Sequence, residues 1–298
     1  MKNILIIGCG LIGSSLLRSI ANKKVAKKIF VYEKSKSNIL KIKKLRLPCE
    51  VTNDFKKIIP NLDLIIFCTP LGEYEKIILK INKYLNPKII LTDVGSSKGK
   101  SMELIKKKLK KGIFWTSSHP IAGSEVSGPE HGVKNLFHNK WCILIKEKNT
   151  NKKHLQALSK FWKKIGSKVS FMDPKKHDTV FSMTSHLPHL IAYNLVKTAT
   201  DFEKQQRYEL IKFSAGGLRD FSRIAASNEI MWRDIFFNNQ KNITKVIDLF
   251  IKNLLSFKSD IRSKNNKSII KKLVDTKKVR KKIIKLKQDI NKPDFGRI

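Results

Sequence analysis

Two short segments carry side chains whose types and spacing suit catalysis. His119 lies in SHPIAGSEVSG at residues 118–128, where proline and glycines shape a loop. Imidazole has the ordinary side-chain pKa nearest neutrality, so it exchanges protons at physiological pH. Ser96 lies in DVGSSK at residues 93–98, where an apolar run that predicts a strand gives way to a loop. If the two loops are adjacent, hydroxyl and imidazole converge, and both residues are predicted to be catalytic.

Each of these residues has a simpler alternative. A single histidine often serves only the structure, and a serine before a helix is commonly its N-cap. The catalytic interpretation of His119 and Ser96 therefore depends on both side chains lying at the same edge of a sheet, where α/β proteins bind ligands.

The segment GCGLIG at residues 8–13 follows an apolar run and precedes a helical pattern, which is the context of a dinucleotide-binding turn. Gly8 permits the tight turn, Gly10 leaves room for a pyrophosphate, and Gly13 allows the helix to pack closely on the strand. Backbone N–H groups at the helix start would bind the phosphates.

The type of cofactor is indicated by Glu33, which ends the second predicted strand. A carboxylate there accepts hydrogen bonds from a ribose 2′-hydroxyl and repels a 2′-phosphate, so NAD is predicted over NADP. Lys34 and Lys36 lie nearby, and their positive charges would instead favour the 2′-phosphate of NADP. The residues predicted to bind the cofactor are Gly8, Gly10, Leu11, Ile12, Gly13, Glu33, Thr69, Pro70 and Ser96.

Imidazole and guanidinium groups cluster in the second half of the chain. SHLPH at residues 185–189 places His186 and His189 within one helical turn. Arg219 and Arg223 are spaced i,i+4 and share one face if the stretch is helical. Because arginine binds carboxylates through two parallel hydrogen bonds, the cluster predicts a small anionic substrate, with a surface ion pair as the alternative.

Apolar runs that alternate with helical patterns must position these side chains. Strands are predicted at 3–7, 29–32, 62–68, 89–92, 114–117, 141–145 and 169–171, and helices from Leu11 and at 73–84, 101–109 and 153–165. This alternation predicts an α/β fold with an N-terminal Rossmann-type doubly wound sheet. From Lys175 onward only helical spacing recurs. We therefore expect a dinucleotide-binding domain at 1–173 and an all-helical C-terminal domain at 174–298.

The chain of 298 residues has a formal net charge of +38, but only nine of its 62 basic residues are arginine. A basic nucleic-acid-binding protein on a Rossmann scaffold is one alternative. The lysines are spread over helical segments without interleaved aromatic residues, which favours solvated faces. No apolar run approaches the ~18 residues of a membrane span, no secretory signal is evident, and the four cysteines lack metal or disulfide spacing. We expect a cytoplasmic protein without metal, nucleic-acid or membrane partners.

The motifs, taken together, resemble those of a known family. GxGLIGxS, DxGSxKG, SHPIAGSExSG, HDxxxxxxSHLPH and GGxRDFxRIAxSxxxMWRDI occur in this order between Gly8 and Ile235. In this combination they resemble the prephenate dehydrogenase family, which includes arogenate dehydrogenases. The resemblance extends to about Leu255. It implies a Rossmann domain, a helical dimerisation domain, and oxidative decarboxylation of prephenate to 4-hydroxyphenylpyruvate in tyrosine synthesis.

The resemblance also implies roles for single residues. His119 would bond the ring hydroxyl of the substrate, Ser96 would help to orient it, and Trp232 would line the pocket. The residues implied for substrate carboxylates are His189 and Arg223, and those for a charged network at the site mouth are Glu125, Asp220 and Arg223. The predicted substrate-binding set also contains Ser185, His186 and Arg219.

Several alternatives stay open. The motifs do not separate prephenate from arogenate, which differ only in a keto or an amino-acid side chain. Another Rossmann reductase, acting on a hydroxyacid or an imine, would account for the nucleotide turn but not for His119, His189 and Arg223 together. The apolar residues at 243–255 indicate core or a subunit interface, and with the resemblance they predict a homodimer. The lysine-rich stretch 264–287 is predicted to be a solvated amphipathic helix, with no regulatory ACT-like domain after it.

Overall fold

A five-stranded parallel sheet forms the centre of the N-terminal half. The computed structural model describes residues 1–207, 209–286 and 288. The strands are β1 (Asn3–Ile7), β2 (Lys28–Tyr32), β3 (Glu50–Val51), β4 (Leu64–Phe67) and β5 (Ile90–Asp93), in the spatial order β3-β2-β1-β4-β5. The helices between and after them are α1 (Leu11–Asn22), α2 (Lys36–Lys44), α3 (Phe55–Ile58), α4 (Tyr74–Ile81) and α5 (Gly99–Lys108). The predicted Rossmann-type sheet is confirmed.

Strand β1 is buried on both faces of this sheet. Ile4 and Ile6 pack into one hydrophobic cluster and Leu5 and Ile7 into another, and all four are 0% exposed. Successive side chains of a strand point to opposite faces, so an uninterrupted apolar run suits a parallel sheet that is covered on each side. Full burial of each such side chain contributes about 1.5–3 kcal/mol. The sheet therefore holds the carboxyl ends of its strands at one fixed edge.

A second, three-stranded sheet follows. β6 (Ser118–Pro120) pairs antiparallel with β7 (Trp141–Ile145), which pairs parallel with β8 (Lys168–Met172). Helix α6 (Lys152–Ile165) connects β7 to β8. Short 3₁₀ turns lie at Ile59–Asn61, Leu71–Glu73, Asn82–Tyr84, Pro129–His131 and Ile211–Phe213.

The strand predicted at 114–117 is wrong. This stretch makes a single parallel bridge to β5, through Trp115, and β6 begins after it. The hydroxyls of Ser117 and Ser118 both bond to Asp93 at the end of β5. Side-chain hydroxyls, rather than a continued backbone ladder, thus link the chain to the end of β5, and its backbone then pairs with β7.

The second half contains no strand among the residues that the structure describes. Its helices are α7 (Pro174–Phe181), α8 (Leu187–Gln206), α9 (Gly216–Ala225), α10 (Glu229–Asn238), α11 (Gln240–Arg262) and α12 (Asn266–Lys285), with a π-helical turn at Ser182–His186. Asp173 caps α7 by accepting the N–H of Lys176, and Pro174 fixes the first turn. The domain boundary between 173 and 174 falls at this cap and stays a prediction.

The stretch predicted to be amphipathic, 264–287, is occupied by α12, and Lys287 lies outside the described residues. Asp260 of α11 accepts hydrogen bonds from Lys272 and Ser268 at 2.6 and 2.7 Å, which ties α12 to α11. The large apolar side chains that stay exposed on these two helices include Leu249, Ile251, Leu254, Leu255, Ile261, Ile270, Leu273, Val274 and Val279. In the described part of the chain, none of the helices has the length and apolarity to cross a membrane.

Candidate active site

The glycines at 8–13 form the predicted turn between β1 and α1. Gly8 has φ +90°, in the left-handed region that favours glycine. A Cβ atom on Gly13 would lie 2.0 Å from the carbonyl oxygen of Gly8, so a larger residue does not fit there. A Cβ on Gly10 would meet no atom within 4 Å. Gly8 and Gly13 thus leave no room for a side chain, whereas the space beside Gly10 is open.

The open side of this turn fits a pyrophosphate. Helix α1 begins with Leu11 and Ile12, and its N-cap residue, Gly10, provides no side-chain acceptor for the first backbone N–H groups. Such N–H groups and the helix dipole attract an anion. Thr69, which follows β4 and precedes Pro70, has a buried hydroxyl with no hydrogen-bond partner in the described residues. A bound dinucleotide would satisfy both features.

Glu33 lies beside the turn, at the end of β2. Its Oε2 accepts the backbone N–H of Cys9 and its Oε1 that of Ser35, both at 2.8 Å. Each oxygen has a second lone pair, so the carboxylate still accepts hydrogen bonds from a ribose. The ammonium of neighbouring Lys34 lies 3.3 Å from Glu73. The backbone bonds therefore hold Glu33 at the position predicted for the ribose-binding acid.

A buried ion pair lies at the end of β5. Lys98 is 0% exposed, and its Nζ lies 2.6 Å from Oδ2 of Asp93 and 2.7 Å from the carbonyl oxygen of Ser118. Asp93 also accepts hydrogen bonds from the hydroxyls of Tyr74 and Ser117. Burial lowers the pKa of Lys98, and the charge of Asp93 opposes this effect. The pair joins the end of β5 to β6.

His119 lies inside β6 and is 6% exposed. The predicted strand at 114–117 would place His119 in the loop after a strand, but the strand begins only at Ser118 and includes His119. Its Nδ1 lies 2.8 Å from Nε2 of His177, and Nδ1 of His177 lies 2.8 Å from Oδ1 of Asp178. The ring of Phe181 packs against both imidazoles, with centroids 4.7 and 4.5 Å away. A continuous line of contacts thus connects β6 with helix α7.

Burial determines the charge states in this line. It lowers the pKa of His119 well below the ordinary 6.5, and neighbouring His177 and Lys98 lower it further. Burial also lowers the pKa of His177, although its hydrogen bond with Asp178 acts to raise it. For Asp178, burial acts to raise the pKa, but hydrogen bonds from His177 and the N–H of Gly99 help to lower it overall. At neutral pH two neutral imidazoles therefore adjoin an ionised carboxylate.

Asp178 also caps helix α5 from the second half of the chain. Its Oδ1 accepts the N–H of Lys98 at 2.9 Å, and its Oδ2 accepts the N–H of Gly99 at 2.8 Å. The N-cap residue of α5 is Lys98, whose own side chain makes no cap bond. The alternative role of Ser96 as this N-cap is therefore wrong. Ser96 is partly exposed on the loop between β5 and α5.

His189 and Trp232 form a stacked pair in the second half. Their ring centroids lie 3.8 Å apart at an interplanar angle of 23°, and Trp232 is buried. Nδ1 of His189 lies 2.9 Å from the carbonyl oxygen of Ser185. Because a carbonyl only accepts, Nδ1 carries the proton, and neutral His189 has its lone pair on Nε2. Burial lowers the pKa of His189, against the effect of the bond to Ser185.

Arg223 on α9 reaches to the loop after β6. Its Nη1 lies 3.3 Å from Oε2 of Glu125, and the two side chains are 39% and 26% exposed. Its Nε is buried without a hydrogen-bond partner in the described residues. Arg219 and Asp220 lie one turn earlier on the same helix and are exposed. The partly exposed guanidinium of Arg223 has N–H donors beyond the one directed at Glu125, which suits it to a carboxylate ligand.

His186 lies in the π-helical turn and is 0% exposed. Its Nδ1 lies 3.0 Å from Nδ2 of Asn239, which also donates to the backbone carbonyl of Asp178 at 2.8 Å. Burial lowers the pKa of His186 to about 4. Its ring centroid lies 6.2 Å from that of Trp232. The structure places His186 in a buried network, and its contact with substrate stays a prediction.

Four buried residues of this site were missed from the sequence: His177, Asp178, Lys98 and Asp93. The HD dipeptide was visible in the motif HDxxxxxxSHLPH, just after the N-cap of a helix. A buried lysine has no such signal in a chain this rich in lysine. Asp93 and Lys98 stand in one short motif, and His177 and Asp178 in another, but their contacts with each other's segment and with His119 arise only when the two motifs are brought together.

The parallel sheet, its open glycine turn and the buried imidazole of His119 define the class of the protein as a nucleotide-dependent oxidoreductase. Residues 16–171 match the family model of the prephenate dehydrogenase nucleotide-binding domain, and residues 173–275 match that of the prephenate dehydrogenase dimerization domain. The chain belongs to the prephenate dehydrogenase family. The resemblance found in the motifs is confirmed.

Known relatives agree with this membership over almost the whole chain. Cyclohexadienyl dehydrogenase of Zymomonas mobilis is 32% identical over 279 residues, 94% of this chain and 95% of that protein. Prephenate dehydrogenase of Bacillus subtilis is 28% identical over 270 residues, 90% of this chain and 72% of that protein. The solved structure of A. aeolicus prephenate dehydrogenase with hydroxyphenyl propionate and NAD+ has a TM-score of 0.88 at 35% identity, and the match covers 95% of this chain and 98% of that one.

Proposed function

We propose that the protein catalyses NAD-dependent oxidative decarboxylation of prephenate to 4-hydroxyphenylpyruvate. The observation that carries this proposal is the buried, neutral His119, whose following loop approaches Ile12 of the nucleotide turn at Gly123. The bound hydroxyphenyl propionate and NAD+ of the A. aeolicus relative support the same chemistry. NAD+ supplies the acceptor for a hydride from C4 of the substrate.

His119 acts on the C4 hydroxyl of prephenate. As the C4–H bond breaks and the hydride leaves, the neutral imidazole accepts the hydroxyl proton and C4 becomes a carbonyl carbon. The ring carboxylate then leaves as CO2, and the electron pair of the broken C–C bond moves through the ring to the C4 oxygen. That oxygen takes the proton back from His119 as the ring becomes aromatic. One base therefore serves the whole reaction.

Ser96 orients the same hydroxyl from the loop after β5. A serine hydroxyl donates one hydrogen bond and accepts others, so it suits a position between the substrate and the cofactor. Its partial exposure and its location after β5 support this role.

Arg223 and His189 hold the substrate carboxylates. The guanidinium of Arg223 is partly exposed and has N–H donors besides the one directed at Glu125, so it can bind a carboxylate. A carboxylate at Nε2 of His189 would draw a proton onto that ring, because the neutral form has a lone pair there. Trp232 forms an apolar wall under His189, and Asp220 belongs to the charged mouth of the site.

NAD, rather than NADP, is the proposed cofactor. Glu33 is held beside the turn by two backbone bonds and would repel a 2′-phosphate. The match to a nucleotide-binding domain and the NAD+ of the A. aeolicus relative support the same choice.

Prephenate, rather than arogenate, is the proposed substrate. Both carry two carboxylates, and arogenate adds an ammonium group that reduces its net negative charge. A chain with a net charge of +38 attracts the more negative ligand more strongly. Arogenate stays the alternative, since the residues at the site bind carboxylates of either compound.

We also propose that residues 1–173 bind the cofactor and that residues 174–298 bind substrate and form a homodimer. The match of residues 173–275 to a dimerization domain supports this division. Exposed apolar side chains on α11 and α12 support an interface on that half.

The test is NADH or NADPH formation, followed by absorbance, with both substrates and both cofactors. We expect the highest kcat/KM for prephenate with NAD. A higher value for arogenate would assign that substrate instead. Failure to oxidise either compound, in protein that is folded and binds NADH, would overturn the proposed reaction.

A further inference from the structure

The contact of His119 with His177, and that of His177 with Asp178, serve no group of the substrate directly. Three buried titratable side chains lie in one line, joined by two contacts of 2.8 Å. We propose that His177 and Asp178 are positioning residues that fix His119 in the tautomer with its proton on Nδ1 and its lone pair on Nε2. This inference rests on the proposed function of His119 as the proton acceptor.

The direction of the hydrogen bonds follows from Asp178. Its two oxygens receive the backbone N–H groups of Lys98 and Gly99, and the hydroxyl of Ser97 lies 3.5 Å from Oδ2. Donors on several sides hold the group as a carboxylate, which only accepts hydrogen bonds. The 2.8 Å contact with His177 therefore requires a proton on Nδ1 of that ring.

The proton on His177 determines the tautomer of His119. A neutral imidazole with a proton on Nδ1 has its lone pair on Nε2. Nε2 of His177 therefore accepts, and Nδ1 of His119 donates across the 2.8 Å contact. The lone pair of neutral His119 is then on Nε2, where it receives the hydroxyl proton. The opposite tautomer of His119 would place two lone pairs against each other.

The groups that face the two rings support neutral imidazoles. Lys98, on the side of β5, is buried and paired with Asp93. His186, from the π-helical turn, bonds Asn239, and the apolar ring of Phe181 covers both imidazoles. A second positive charge next to buried Lys98 is unfavourable. Tautomeric state, rather than charge, thus sets which nitrogen of His119 accepts.

The tautomer is measured directly by ¹⁵N NMR of the complete protein with labelled histidine, because ring nitrogens with and without a proton have separate signals. His119→Asn identifies the His119 signals. We expect a proton on Nδ1 of His119 in the wild type and a loss of this preference in His177→Leu. His177→Gln is the matched variant, since its amide donates to Asp178 and accepts from His119. His154→Leu, which removes a buried histidine from α6, should leave the His119 signals unchanged.

Kinetics provide the second measurement. General-base assistance is worth about 10²–10⁴ in rate, so His177→Leu should lower kcat by about 10²-fold and His177→Gln should restore most of it. NADH affinity should hardly change in either variant, whereas a merely structural role would affect both variants and the cofactor site together.

Two outcomes would overturn the positioning role: a proton on Nε2 of wild-type His119, or wild-type kcat in His177→Leu. The NMR measurement needs no substrate. If neither prephenate nor arogenate is oxidised while Nδ1 of His119 carries the proton, the proposed reaction fails and the positioning role stands.

Discussion

If His119 is the general base, as proposed, its burial sets the acid limit of the reaction. The imidazole accepts a proton only when neutral, and burial, with His177 and Lys98, lowers its pKa well below 6.5. Activity should therefore persist as the pH falls below 6.5 and be lost only at the lowered pKa. We expect kcat to show one acid limb with its midpoint below 6.5, measured as NADH formation against pH. In His119→Asn this limb should vanish, together with about 10²-fold or more of kcat. The same limb in that variant would point to His189 as the base.

Glu33 is the carboxylate that we propose selects NAD over NADP. A hydrogen bond to a charged group is worth about 1.5–3 kcal/mol, so Glu33→Ala should raise the KM for NAD by about 10- to 100-fold. Use of NADP should improve, because the repulsion of its 2′-phosphate is removed. Glu50→Ala, an exposed carboxylate on β3, is the control and should leave both values unchanged. Higher kcat/KM with NADP than with NAD in the wild type would contradict the assignment.

Sequence reasoning identified side chains that belong to a local motif and missed those whose partners are distant. The glycines of the turn and His119 stand in short recognisable segments. His119 and His177 are 58 positions apart, and Lys98 and Asp178 are 80 apart. Since these contacts depend on how α7 docks against β5 and β6, no spacing within either segment predicts them.

At the scale of elements, α9 and the loop after β6 face each other through Arg223 and Glu125. Loss of a charge-assisted hydrogen bond costs about 1.5–3 kcal/mol, so Arg223→Ala should raise the KM for prephenate by tens of fold or more. NAD affinity should hardly change. Arg262→Ala, at the exposed end of α11, removes the same charge away from the site and serves as the control. Equal weakening of substrate and cofactor would indicate a folding role for Arg223.

Most strands and helices were predictable because their signals are local. The buried apolar run of β1 and the helical spacing of α6 each lie within a few turns of chain. The predicted helix at 73–84 is α4 with 3₁₀ turns at both ends. The strand at 114–117 failed because the hydroxyls of Ser117 and Ser118 bond to Asp93, a contact that apolar periodicity does not register.

At the scale of the whole molecule, the exposed apolar side chains of the second half predict association. Leu254 and Leu255 of α11 are 56% and 57% exposed, and residues 173–275 match a dimerization domain. We expect a dimeric mass by light scattering at micromolar concentration and physiological salt. The double variant Leu254→Glu, Leu255→Glu should be monomeric, because charges in an apolar interface lose their hydration. Leu40→Glu, 67% exposed on α2, should stay dimeric. A monomeric wild type would contradict the prediction.

The buried pair of Lys98 and Asp93 limits how this chain can change over generations. Removing one member of a buried ion pair costs about 3–5 kcal/mol, whereas replacing both with well-packed apolar residues is often neutral. Because free energies of unfolding are about 5–15 kcal/mol, removing only one of the two charged residues would cost a large part of the stability of the fold. A chain that loses either charge alone should therefore be less stable than one in which apolar residues replace both, so a tolerated change at one position requires a matching change at the other.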